Sequence, residues 1–109
     1  MKVLDIEARA NEALAYLTGS DEQAADLKHA ADMAEAKYEA IVDALLLHSD
    51  KSSADLRRAD ARSNAEAVKA NREWLEAVRD YDRVANRRRS EAIVTEWCRS
   101  LYSNYRQGK

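Results

Sequence analysis

Apolar positions recur every three or four residues along almost the whole chain. Val3, Ile6, Ala10, Ala13 and Leu17 fall on one helical face, which predicts a first helix over about 3–17 stopping at Thr18-Gly19. Ser20, with Gln23 three residues on and Asp21 and Glu22 between them, reads as a capping box that opens a second helix. The Thr18-Gly19-Ser20 step is then either a sharp turn or a kink. From Asp21 to His48 the positions Ala24, Leu27, Ala31, Ala34, Tyr38, Ile41, Leu45 and His48 alternate in steps of three and four. That is the heptad pattern of a helix packed lengthwise on another. Alanine at several of these seam positions permits close antiparallel approach.

Ser49-Asp50-Lys51-Ser52-Ser53 concentrates turn formers. Ser52 as N-cap, with Asp55 in the box position, predicts a chain reversal there. No glycine follows until Gly108 and the chain has no proline, so a third helix is expected over about 54–106. Helices one and two together nearly match it in length. The fold class is therefore all-α, a single coiled-coil-like domain over 1–109, as an antiparallel helical hairpin or as a three-helix bundle with a long C-terminal helix. Val68, Leu75 and Val78 are expected to face the seam of helix two, with Trp74 and Tyr81 flanking it. Further on, Ala92, Ile93, Trp97, Cys98, Leu101, Tyr102 and Tyr105 form an apolar and aromatic face too large to leave exposed on a monomer.

Composition changes this picture in one respect. The chain is 46% hydrophobic and 35% charged, but the apolar share is mostly alanine and contains no phenylalanine. At about 25 cal/mol per Å² of apolar surface, such residues make a thin core, so a homo-oligomer, most simply a dimer, is expected. Cys98 is the only cysteine, which excludes an internal disulfide framework and suits a reducing compartment. Met1 to Ile6 carries Asp5 and no long apolar run. A cytoplasmic protein with no signal peptide and no membrane association is the expectation.

Charge is unevenly placed. Residues 1–50 hold 4 basic and 11 acidic side chains, whereas residues 83–109 hold 7 basic and 2 acidic ones. The ends attract each other in an antiparallel arrangement, and near-neutrality overall excludes a general polycation. Arg87-Arg88-Arg89, with Arg83 before and Arg99, Arg106 and Lys109 after, shares its segment with Trp97, Tyr102 and Tyr105. Guanidinium groups that track phosphates beside rings that stack on bases hold single-stranded nucleic acid. The structural alternative pairs these arginines with Asp5, Glu7 and Glu12 and places the aromatics in a core.

No residue set names a reaction, so the protein is expected not to be an enzyme. His29 and His48 lack ligands at metal spacing and read as a surface residue and a helix-end residue. Cys98 beside Trp97 reads as a buried, inert thiol with no histidine near it in sequence. Glu91 and Glu96 have no evident companion, and no glycine-rich phosphate loop exists, so neither a metal nor any other cofactor is expected.

The run Tyr81-Asp82-Arg83-Val84-Ala85-Asn86-Arg87-Arg88-Arg89-Ser90-Glu91-Ala92-Ile93-Val94-Thr95-Glu96-Trp97-Cys98-Arg99-Ser100, followed by Ser103-Asn104-Tyr105-Arg106-Gln107-Gly108, resembles a family of small uncharacterised helical phage proteins. Its members share an arginine-rich stretch, an apolar turn, a Trp-x-Arg step and an Asn-x-Arg-x-Gly ending, and tend to be encoded near phage recombination genes. The similarity is loose over 15–108 and tighter over 81–108, and Tyr102 and Tyr105 depart from the smaller polar residues of the family pattern. The resemblance implies a role in phage DNA recombination or in protecting phage DNA. Taken with the arginine and aromatic pattern of the same segment, it gives the first expectation: binding of single-stranded DNA or a recombinase, with Arg87, Arg88, Arg89, Trp97, Arg99, Tyr102, Tyr105, Arg106 and Lys109 as the candidate contacts. A second expectation is an inhibitor of a host nuclease or defence complex, in the manner of Gam-type coiled-coil proteins, whose acidic residues 1–50 imitate a phosphate row. A third is a purely structural oligomerisation element.

Overall fold

Strong helix formers and the absence of proline make this an all-α protein. The computed structural model describes residues 2–108, in the order α1 (Val3–Gly19), α2 (Asp21–His48), α3 (Ala54–Ser63) and α4 (Ala65–Gln107). Among the described residues there is no strand, and no helix is long and apolar enough to cross a membrane. The chain divides into two compact units, Met1–Ala25 with Asp82–Lys109, and Asp26–Tyr81.

In the first unit, α1 lies antiparallel to the C-terminal part of α4. Ile6, Ala13, Ser20 and Cys98 are buried there. The step between α1 and α2 is a kink and not a turn. Ser20 holds a right-handed helical conformation (φ −97°, ψ −1°). Its N–H donates to Tyr16 O at 2.9 Å, and its carbonyl accepts from Ala24 N–H at 2.9 Å, so the helical hydrogen bonding passes through it. The expected capping box does not form: with helical bonding continued through Ser20 the following N–H groups are not left open for a cap, and the Ser20 hydroxyl accepts from Arg88 Nη1 at 2.7 Å. Gly19 is the last residue of α1, but it has no left-handed backbone, so the chain continues in the helical direction past it.

In the second unit, α2 runs antiparallel to the first part of α4, with Tyr38 stacked on Trp74 at 5.6 Å between ring centroids and Lys37 Nζ 3.2 Å from Glu73 Oε2. The buried residues are Ala31, Ala61, Ala67 and Ala70; helices meeting at alanine approach closely, which supplies packing contacts in place of apolar area. Trp74 and Tyr81 are half-buried at the seam, and so is Val78, whereas Val68 and Leu75 are exposed on the outside. The expected facing of α4 is therefore corrected by about a third of a turn: Ala67, Ala70, Trp74, Ala77 and Tyr81 continue the three-four alternation and Val68 and Leu75 do not.

The single helix expected over 54–106 is two helices. Asn64 takes an extended conformation (φ −61°, ψ 139°), and its Oδ1 accepts from Glu66 N–H at 2.9 Å, so it caps α4 in the way asparagine favours. At the other end of α3 the N-cap is Ser53, not Ser52: Ser53 Oγ accepts from Leu56 N–H at 3.1 Å. Ser49 Oγ donates to Asp60 Oδ2 at 3.1 Å, which ties α3 to the end of α2.

Candidate functional site

All the residues expected to bind nucleic acid or a partner lie on the last part of α4, within the first unit, except Lys109, which is outside the described residues. Helical phase sorts them into three groups. The first faces α1 and is held by it. Arg88 Nη1 donates to Leu17 O at 2.7 Å as well as to Ser20, and Nη2 lies 3.2 Å from Asp21 Oδ1. The Arg87 guanidinium carbon sits 3.9 Å from the Tyr16 ring centroid, a cation–π contact at close range. Two of the three consecutive arginines thus have partners within the fold. Their companions are Tyr16, Leu17, Ser20 and Asp21 and not the Asp5, Glu7 and Glu12 of the structural alternative, because a seam position meets the residue directly opposite it.

The second group points outward. Arg89, Ile93 and Trp97 recur at four-residue spacing and share a face. Ile93 is 63% and Trp97 51% exposed, and Arg89 makes only a contact within its own helix, Nη1 donating to Asn86 Oδ1 at 3.1 Å. The third group, Arg99, Tyr102 and Arg106, lies on another side of α4. Arg99 Nη1 is 3.2 Å from Glu96 Oε1, and the Arg106 guanidinium carbon is 5.9 Å from the Tyr102 ring centroid. Tyr105 is half-exposed, one heptad beyond Cys98. The apolar face expected from Ala92 to Tyr105 is therefore not one face: Cys98 is buried, Leu101 half-buried, and Ile93 and Trp97 are open to solvent.

Glu91, expected to lack a companion, pairs with Arg9. Arg9 Nη2 donates to Glu91 Oε1 at 3.1 Å, and Nη1 lies 2.9 Å from Oε2. The hydrogen bond from Arg9, reinforced by its charge, holds the Glu91 carboxyl below its ordinary value of 4.5, against the opposing effect of desolvation. Arg9 is correspondingly raised by its bond to Glu91. A signal for this pair is present in the sequence: Tyr81, Val84, Arg88, Glu91, Thr95 and Cys98 continue the three-four alternation, which places an arginine and a glutamate at seam positions facing α1.

His29 and His48 are exposed, and among the described residues no cluster of histidine, cysteine and carboxylate has the makings of a metal site. Cys98 is free and 1% exposed, as a buried thiol was expected to be. What the arrangement offers chemically is a rigid helical ledge: an outward stripe of two large apolar side chains with a guanidinium at one end, fixed in orientation because the opposite face of α4 is anchored to α1. No protein-family model, curated protein or solved structure matches the chain.

Proposed function

We propose that this protein is a non-enzymatic docking module whose outward stripe Arg89, Ile93 and Trp97 seats a protein partner. In the phage setting that the resemblance implies, that partner is a recombination protein and the chain is an accessory factor for phage DNA recombination in the host cytoplasm. The observation that carries this reading is Trp97, half-exposed beside an exposed Ile93 on a helix whose other face is held in place. Anchors at four-residue spacing are how a helix enters a partner's apolar groove, and tryptophan with arginine is the composition of binding hot spots. A protein is favoured over single-stranded DNA because Arg87 and Arg88, central to a phosphate track, are engaged at Tyr16 and at Leu17, Ser20 and Asp21.

Single-stranded DNA is the second reading, supported by the exposed Arg89, Arg99 and Arg106 near Trp97, Tyr102 and Tyr105. Inhibition of a host nuclease is the third: Asp5, Glu7 and Glu12 are exposed rather than paired with the arginine run, which leaves carboxylates open to solvent on α1, Asp5 and Glu12 one heptad apart on one side and Glu7 on another. Fluorescence anisotropy separates the three, with a purified phage recombinase, a single-stranded oligonucleotide and a host exonuclease as ligands. On the docking reading the recombinase binds, and Trp97→Ala weakens it on the order of a hundredfold, the scale of a hot-spot truncation. Recombinase binding unchanged in Trp97→Ala and Arg89→Ala sinks it; oligonucleotide binding with a steep salt dependence, or capture of the exonuclease lost on Glu7→Gln, replaces it with the second or third reading.

A further inference from the structure

An open cleft runs along the first unit between α1 and α4, lined by Ile6, Ala10 and Leu14 from α1 and by Thr95, Cys98 and Tyr102 from α4. Its walls are apolar and incompletely covered: Leu14 is 49% and Tyr102 36% exposed. One charged side chain stands on each rim, Glu7 on α1 and Arg99 on α4. It is a different face from the Arg89, Ile93 and Trp97 stripe, because Thr95, Arg99 and Tyr102 fall on another side of α4.

We infer that a second copy of this chain closes this cleft, about a two-fold axis parallel to the helices. Charge chooses both the occupant and the axis. A patch that binds its own copy must be self-complementary, and a cleft with one anionic and one cationic rim meets that requirement. Two face-to-face arrangements exist. An axis perpendicular to the helices sets α1 against α1 and α4 against α4, so the carboxylate-rich α1, with Asp5, Glu7 and Glu12 against Arg9, meets its own kind, and the arginine-rich end of α4 does likewise. An axis parallel to the helices sets each α1 against the other copy's α4, antiparallel to it. Glu7 then faces Arg99 of the other copy, twice in the assembly, and Leu14 and Tyr102 are covered from both sides. The product is a four-helix layer in which every helical neighbour is antiparallel and opposite in charge, the geometry of coiled-coil-like bundles. It adds apolar burial to a unit in which, among the described residues, the buried apolar ones are Ile6, Ala13 and Cys98. The inference does not depend on the docking function: Ile93 and Trp97 stay outside the covered face.

Light scattering over a concentration series tests it, with circular dichroism on each variant to show that helicity is kept. The wild type is expected to have dimer mass, and Glu7→Arg and Arg99→Glu each to raise the dimer dissociation constant on the order of a hundredfold, since each creates two like-charge contacts. Mixing the two variants in equal amounts restores dimer mass, because the mixed pair brings the new Arg to the new Glu and keeps one original contact. Leu14→Glu dissociates the dimer and Trp97→Ala does not. A wild type that stays monomeric to its solubility limit overturns the inference, as does a dimer indifferent to both reversals or one not restored by mixing. Because Trp97→Ala reports on the other face, failure here leaves the docking function standing, and the converse holds too.

Discussion

Removing the Arg88 side chain leaves the Leu17 carbonyl and the buried Ser20 hydroxyl without the guanidinium that joins them at 2.7 Å each. Hydrogen bonds from a charged donor are worth more than neutral ones, so Arg88→Ala is expected to lower unfolding stability by about 2 kcal/mol in urea denaturation. Arg88→Lys recovers only part of it, since an ammonium lacks the planar fork, and Arg89→Ala changes stability by less than about 0.5 kcal/mol, its hydrogen bond to Asn86 lying within its own exposed turn. Glu91 sets an acid limit. Its carboxyl is held below 4.5 by Arg9, so the folded state favours the ionised form. The contribution is fully present above the unfolded value and is lost as pH falls through the lower native value. The stability difference between wild type and Glu91→Gln is therefore expected to be constant above pH 4.5 and to shrink below it; a difference that grows on acidification contradicts the assignment. At this scale the sequence was half legible. Arg87, Arg88 and Arg89 look alike as a run, yet successive helical residues point about 100° apart, and only the position of α1 decides which of them is engaged.

Helix boundaries follow from single side chains. Asn64 ends α3 and starts α4 without glycine or proline, which is why composition suggested an unbroken helix over 54–106. A side chain that satisfies the N–H of Glu66 competes with helix continuation on equal terms. Asn64→Ala is expected to cost about 1 kcal/mol and Asn64→Asp close to nothing, measured by thermal unfolding. Gly19 carries the opposite lesson. A terminating glycine is recognised by a left-handed backbone, and Gly19 has none; a Cβ placed there meets nothing within 4 Å. Gly19→Ala is therefore expected to raise stability by about 0.5 to 1 kcal/mol, where a true helix-stop glycine loses stability on the same change. The cue for a kink in place of a turn was present in the sequence. Leu17, Ser20 and Ala24 are spaced by three and four, so the seam of α1 passes into that of α2 in phase, and a break would have thrown it out of register.

Across the molecule the described interior is made mainly of alanine, with Ala13 and Ala67 at 0% exposure, each in its own unit. Stability on this plan comes from helices held close enough for dense contact and not from large buried side chains. Enlarging a seam alanine should therefore harm the fold although it adds apolar surface. Ala67→Leu is expected to destabilise by about 1 to 3 kcal/mol by forcing the helices apart, while a leucine at the exposed Ala92 has little effect on denaturant midpoint. The same economy explains why Val68, Leu75, Ile93 and Trp97 lie outside: close-packed alanine seams leave room for few large residues.

Helix content, the lengthwise heptad seam of α2 and the alanine character of the contacts were determined by the sequence alone, because they depend on spacing and propensity within one segment. Which side of α4 meets α1, which arginines are anchored, where Glu91 finds its cation and which tryptophan stays open were decided by the tertiary structure. Those outcomes depend on the phase of one helix against another, and a shift of one residue turns a side chain by more than a quarter circle at no cost to the helix that carries it.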